Sequence, residues 1–307
     1  MRTRLPASTI VVLTLRLAFC ALAARGQQAP QPAPPPPFEQ LYKMPAVYSV
    51  PGMDNVEVRH DIVYKSVDGA KAKLDLKLDV YIPAGAKSDQ RFPAVILISG
   101  GGADPPDWRD AGVYVSYGRI LAALGFAGVT FSKRYRRGPE GSLEGLEDFN
   151  DMVRYVRSHA SELHIDPDRV AFWAFSGGGT LLSPALSQME PFARAAVCFY
   201  CVAGLDFPYF SDDDRAKMTT KLSLLAQIEK ANHSVPPIFV GRAGWDSVEL
   251  NRNLDRFVAE ALARDLSVEV MNHPQGRHGF DIIDPDARSR EIIQRAVEFL
   301  KLRLQPD

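Results

Sequence analysis

The chain holds, in order, the three side chains that nucleophilic acyl transfer requires: a serine at the end of an apolar run, an aspartate after a later run, and a histidine beyond it. The serine is Ser176, in Val170-Ala171-Phe172-Trp173-Ala174-Phe175-Ser176-Gly177-Gly178-Gly179. A serine at the tip of a strand-to-helix turn holds a strained backbone, so the residues two before and two after it must be small. Ala174 and Gly178 meet that requirement. The run therefore reads as a nucleophile elbow with a helix starting near Gly177. The competing reading, a glycine-rich phosphate loop, lacks both G-x-G-x-x-G and the P-loop lysine.

A serine hydroxyl is a weak nucleophile at neutral pH, so an imidazole must take its proton and a carboxylate must orient that imidazole. Behind an elbow of this kind the acid and then the histidine follow along the chain. Pro237-Ile238-Phe239-Val240-Gly241 is a short apolar strand, and the loop after it ends in Trp245-Asp246. Asp246 stands where the acid should be, with Glu249 on the first turn of a following helix and Asp281 close behind the histidine as its rivals. The strand Ser267 to Met271 leads into His273-Pro274-Gln275-Gly276-Arg277-His278-Gly279. His278 is preferred to His273 because Gly279 frees its loop to approach the elbow. His60, His159, His164 and His233 fall in a strand, a helix end and a surface loop, and read as solvated or structural.

Charge that develops on the attacked carbonyl needs fixed donors. Ala94 to Ile98 is a buried-strand pattern that opens into Ser99-Gly100-Gly101-Gly102. Glycines there leave backbone amides unobstructed, so the amides of Gly101 and Gly102, with that of Gly177, are the expected oxyanion hole. Trp245, Phe280 and Arg136 are candidate substrate contacts, the two aromatics being alternatively core. No metal site is expected, since no second cysteine pair or suitably spaced histidines complete one.

With these features in order, the chain from about Tyr48 to Leu304 resembles the α/β-hydrolase superfamily. Tyr135-Arg136-Arg137-Gly138-Pro139-Glu140 is similar to the Y-R-L-A-P-E segment of hormone-sensitive-lipase-like esterases, and Asp148 with its helix resembles the next segment of those esterases. His278-Gly279-Phe280 and the strand Leu76 to Pro83 look more like dienelactone-hydrolase-type and feruloyl-esterase-type members. Dienelactone hydrolases carry a cysteine nucleophile, so Ser176 points to an esterase relative. Ser99 departs from the resemblance, since a histidine usually opens the glycine loop of such esterases. The resemblance implies a cofactor-free serine esterase acting on a small-molecule or carbohydrate-linked ester.

The elements that would carry these residues can be read independently. Strand-like runs at Val56 to Val63, Leu74 to Ile82, Ala94 to Ile98, Gly125 to Phe131, Val170 to Phe175, Ala195 to Tyr200, Pro237 to Val240 and Val268 to Met271 alternate, after the first two, with helical segments. Alternation of this kind predicts an α/β fold, a mostly parallel central sheet with helices on both faces. One helix is expected from Glu249 to Arg264. Phe149, Met152, Val153 and Val156 share a helical face, as do Ile292, Ile293, Ala296 and Leu300. The segment Ala203 to Val235 is expected to form a small cap.

Arg2 and Arg4 precede an apolar run from Ile10 to Ala24 that is too short and interrupted to span a bilayer. Residues 1–26 read as an export signal peptide, with a mitochondrial presequence as the alternative. Residues 27–37, with six prolines in eleven residues, read as an extended linker. Residues 38–307 form the expected α/β-hydrolase domain. The leader holds four arginines and no acid, so its removal takes the formal charge from −1 to −5. No basic surface then argues for nucleic acid, and Lys133 to Arg137 reads as a solvated loop, with an anion site for an acidic substrate group beside the active-site edge as the alternative. Cys198 and Cys201 suit either a local disulfide or two buried thiols. Asn232-His233-Ser234 matches a glycosylation sequon. Three function classes remain: a serine esterase, a serine peptidase of the prolyl-oligopeptidase type, and a non-catalytic binding protein on the same fold.

Overall fold

The computed structural model describes residues 34–307 except 69–72, 101–106, 135–137, 188–192, 209, 232–234 and 305–307. The leader, most of the linker, the sequon, Arg136, Gly101 and Gly102 lie outside the described residues. Eight strands form one sheet: β1 (Glu57–Asp68), β2 (Lys73–Ile82), β3 (Phe92–Ile98), β4 (Ala127–Phe131), β5 (Ile165–Phe175), β6 (Ala193–Phe199), β7 (Ile238–Ala243) and β8 (Val268–His273). Their order across the sheet is β1-β2-β4-β3-β5-β6-β7-β8. β2 pairs antiparallel with both β1 and β4, and every other pair is parallel. This is the expected mostly parallel sheet.

The helices are α1 (Phe38–Lys43), α2 (Gly112–Ala123), α3 (Pro139–Ser158), α4 (Ser183–Ser187), α5 (Asp212–Leu222), α6 (Leu224–Lys230), α7 (Val248–Ala263), α8 (Phe280–Ile283) and α9 (Ala287–Arg303). They cover both faces of the sheet, and β5 makes that plain. Val170, Phe172 and Ala174 point into one apolar cluster with residues of α3 and α7. Ala171, Trp173 and Phe175 point into a second with residues of α2 and α9. An alternating strand whose two sides are both apolar can only sit between two layers of helix. The α3 and α9 stripes read from spacing fall on these faces, with Val153 only partly buried.

Within residues 203–235 lie α5 and α6. Their side chains Met218, Leu222, Leu224 and Ile228 join the first cluster, and Leu225 N donates to Ala203 O at 3.0 Å. That anchors the start of α6 to the chain leaving β6. In the parallel half of the sheet Ile98 stands level with Ala174, Phe175 with Phe199, Phe199 with Gly241 and Ala243 with His273. The carboxyl ends of β3, β5, β6, β7 and β8 therefore open onto one edge. Loops leaving one edge of such a sheet are where an α/β protein assembles a site.

Candidate active site

Ser176 is the first residue after β5 and has φ +51°. Left-handed backbone at a non-glycine residue is strained and persists only where its surroundings impose it. The imposing contacts are specific. A Cβ on Gly178 would lie 2.4 Å from Ile98 O, and one on Gly100 would lie 2.9 Å from Ser176 Cβ. The exit of β3 is thus pressed against the elbow from β5. The segment that follows Ser176 is a 3-10 helix to Leu182, leading into the short α4, rather than a single α-helix from Gly177.

His278 Nε2 lies 2.8 Å from Ser176 Oγ, and His278 Nδ1 lies 2.6 Å from Asp246 Oδ2. The Asp246 side chain is only 7% exposed, whereas that of His278 is 42% exposed. The inner carboxylate is shielded and the imidazole faces outward. With the hydrogen on Nδ1, the ring offers its Nε2 lone pair to the hydroxyl.

Two loops must hold station for that line to form, and they are laced together. Gly244 N donates to His273 O at 2.8 Å, and Trp245 N donates to Gly276 O at 2.9 Å. A Cβ on Gly244 would fall 2.3 Å from Pro274 O, so glycine is required for the two backbones to touch. Ser247 N donates to the second Asp246 oxygen at 2.7 Å, and Ser247 Oγ caps α7. Glu249 sits inside α7, pointing from a different element, and its backbone carbonyl accepts from Asn253. Gly279, at φ +80°, turns the chain after His278 into α8.

Asp281 goes elsewhere. Its carboxyl is fully buried and accepts from Tyr200 Oη at 2.5 Å and Tyr117 Oη at 3.0 Å. Burial pushes it up to about 6, against the opposing pull of those two hydroxyls and of His278. Phe280 is a core residue, not a pocket wall. Its ring is fully buried and packs on Phe199, Tyr200 and His273. Trp245 is partly exposed beside Asp246.

The other described histidines have partners of their own. His273 is buried and contacts Asp286, His60 contacts Asp79, His159 stacks on Tyr155, and His164 contacts Gln90 O. Cys198 and Cys201 are two buried free thiols rather than a disulfide. The basic segment is corrected in part, because Lys133 and Arg134, both only partly exposed, are bonded to protein groups. Arg134 bonds Asp148, and Lys133 Nζ donates to Ser99 Oγ at 2.7 Å and to Ser99 O at 3.1 Å. Tyr200, whose ring lies 4.7 Å from that of His278, belongs to no motif and was not legible in the sequence. Among the described residues no cluster of three or more His, Cys, Asp or Glu could hold a metal, and no helix is long and apolar enough to cross a membrane.

Comparison with known proteins gives three findings. The BD-FAE family model matches residues 78–191. Carboxylesterase NlhH of Mycobacterium tuberculosis is 26% identical over 238 residues, 67% of this chain and 71% of that protein. Among solved structures, the apo form of Thermogutta terrifontis esterase 2 aligns with a TM-score of 0.65 at 22% identity, covering 84% of this chain and 98% of that one. The butyrate-bound form of the same esterase aligns with a TM-score of 0.63 at 23% identity, covering 84% and 98%.

Proposed function

The chain has the α/β-hydrolase fold, and on it we propose a serine esterase that works through an acyl-enzyme intermediate with Ser176 as nucleophile, His278 as general base and acid, and Asp246 as its partner. The observation that carries this reading is the unbroken line from Ser176 Oγ through His278 to Asp246, at 2.8 and 2.6 Å, on a serine of positive φ. Ester hydrolysis as the reaction class rests on the likeness to a carboxylesterase.

In the first half-reaction Ser176 Oγ attacks the ester carbonyl carbon while His278 Nε2 takes its proton, and Asp246 stabilises the imidazolium. The carbonyl oxygen gains the charge and is received by backbone amides, for which Gly177, Gly101 and Gly102 are our assignments. Collapse breaks the bond to the alcohol, which leaves with the proton from His278. Water, activated by the same imidazole, then releases the acid and restores Ser176. The substrate we assign is a small-molecule or carbohydrate-linked ester. Residues 1–26 are assigned as an export leader, which mass spectrometry of the exported protein tests directly.

The deciding experiment pairs Ser176→Ala with a fluorophosphonate label and a panel of p-nitrophenyl, acetyl-xylan and feruloyl esters, with a matched amide. Wild type is expected to label once and to hydrolyse esters, and the variant to do neither while staying folded. A variant that still labels removes Ser176 from the role.

A further inference from the structure

The glycine loop leaves β3 between two clamps. On one side Gly100 N donates to Tyr114 Oη at 3.0 Å. On the other, the Lys133 ammonium grips Ser99 twice, through its hydroxyl and its backbone oxygen. Between the clamps, Gly100 lies directly against Ser176 and Phe175. Ser99 itself is buried at 4% exposure. The residues that must deliver the loop to the nucleophile are therefore fixed from both flanks.

The lysine is an expensive way to hold a serine. Among the described residues its hydrogen bonds go to Ser99 and not to a carboxylate. The groups facing it are Asp107 from the turn before α2 and Asp148 from α3, both acting at longer range. Asp148 is already bonded by Arg134 and Lys65, and Phe131 from β4 lies 5.9 Å below the ammonium. A part-buried cation without a direct anion gives up some hydration that an apolar side chain of similar length would not have to lose. Positive charge held on Ser99, whose neighbour Gly100 lies against Ser176, has an evident use where an oxyanion develops.

We propose that Lys133 is a positioning residue for acyl transfer: it fixes Ser99 and Gly100 against Ser176 and holds a positive charge behind the developing oxyanion. This rests on the acyl-transfer reading above. No bond to Lys133 forms or breaks. Its ammonium acts through Ser99, and the Ser99 hydroxyl, accepting from lysine, keeps its own hydrogen free to donate. Burial pulls the lysine down to about 8, opposed by Asp107 and Asp148. The charge is thus present at neutral pH and is lost as pH rises past that value.

The test measures kcat and KM for a p-nitrophenyl ester from pH 6.5 to 9.5 in wild type, Lys133→Met, Lys133→Arg and Ser99→Ala. Wild-type kcat is expected to fall above about pH 8. Lys133→Met should lose at least about tenfold in kcat at neutral pH with KM within about twofold, and should lack the alkaline fall. Lys133→Arg, which keeps its charge, should recover most of kcat and stay flat to high pH. Ser99→Ala should show a smaller kcat loss in the same direction. A Lys133→Met variant with wild-type kcat, or with the alkaline fall intact, overturns the proposal. If that variant fails to fold by circular dichroism, a wild-type kcat flat to pH 9.5 overturns it instead. Failure of wild type to label or hydrolyse at all would sink the esterase reading, a distinguishable result.

Discussion

Tyr200 lies against His278, ring centroids 4.7 Å apart, while its hydroxyl donates to the fully buried carboxyl of Asp281. Two acids thus flank one histidine at different depths. Asp246 touches the imidazole, and Asp281 is separated from it by a tyrosine ring.

That separation fixes the first prediction. Asp246→Asn replaces the carboxylate that accepts from Nδ1–H with an amide whose NH2 can face the ring, and should lower kcat on the order of 10³- to 10⁴-fold, the size seen when the imidazole takes the wrong tautomer. Glu249→Gln, altering a residue of α7 that does not bond the histidine, should change kcat by less than about threefold. Steady-state kinetics on the two purified variants decide it, and the reverse ranking would displace Asp246.

Asp281 should show itself in stability. Its folded-state carboxyl sits near 6, above the ordinary 3.8, so the folded protein binds this proton more tightly than the unfolded chain does. Stability from this group is full at low pH and falls as pH rises from about 4 through about 6. The gap between wild type and Asp281→Asn should therefore shift against wild type by on the order of 3 kcal/mol between pH 4 and pH 7. Urea unfolding at four pH values reads it, and a pH-independent gap would mean the carboxyl is not desolvated.

Gly178→Ala should damage fold and activity together. Its Cβ would meet Ile98 O at 2.4 Å and Ser99 O at 2.7 Å, both backbone atoms that cannot swing aside. Overpacking of this kind costs about 1–3 kcal/mol, and relief by moving β3 outward would carry Gly100 away from Ser176. A lowered urea midpoint with lowered kcat is expected. Wild-type values for both would show that the elbow tolerates a methyl group.

The two buried cysteines give a chemical readout. Cys201 Sγ donates to Ala174 O at 3.2 Å, and burial pushes its thiol up, which suppresses the reactive thiolate. Native protein should leave Cys198 and Cys201 unlabelled by Ellman's reagent, and denatured protein should expose both. A mass two hydrogens lower, with no thiol released on unfolding, would establish a disulfide in their place.

The features legible in the sequence were those a short window encodes. Eight strand-like runs became eight strands, the central ones most plainly, since burial on both faces writes a continuous apolar pattern there. The strained turn at Ser176 was legible because such a turn demands small neighbours, a purely local requirement. The order of acid and histidine followed from how the chain visits adjacent strands.

The tertiary structure decided what depends on separation through space. Ser176 and His278 are 102 residues apart, and His278 and Asp246 are 32 apart. The sequence preferred Asp246 to Asp281 only by its place after a strand, and the structure adds that α8 turns Asp281, three residues from the histidine, inward to Tyr117 and Tyr200. Lys133 read as a solvated cation, or as part of an anion site, for the same reason. A charged side chain in a loop is assigned to water by composition, and only the placement of Ser99 beside it, 34 residues away in sequence, shows that its partner is protein. Local patterns fix which elements form. The pairing of side chains at their ends is fixed by the packing of the whole sheet.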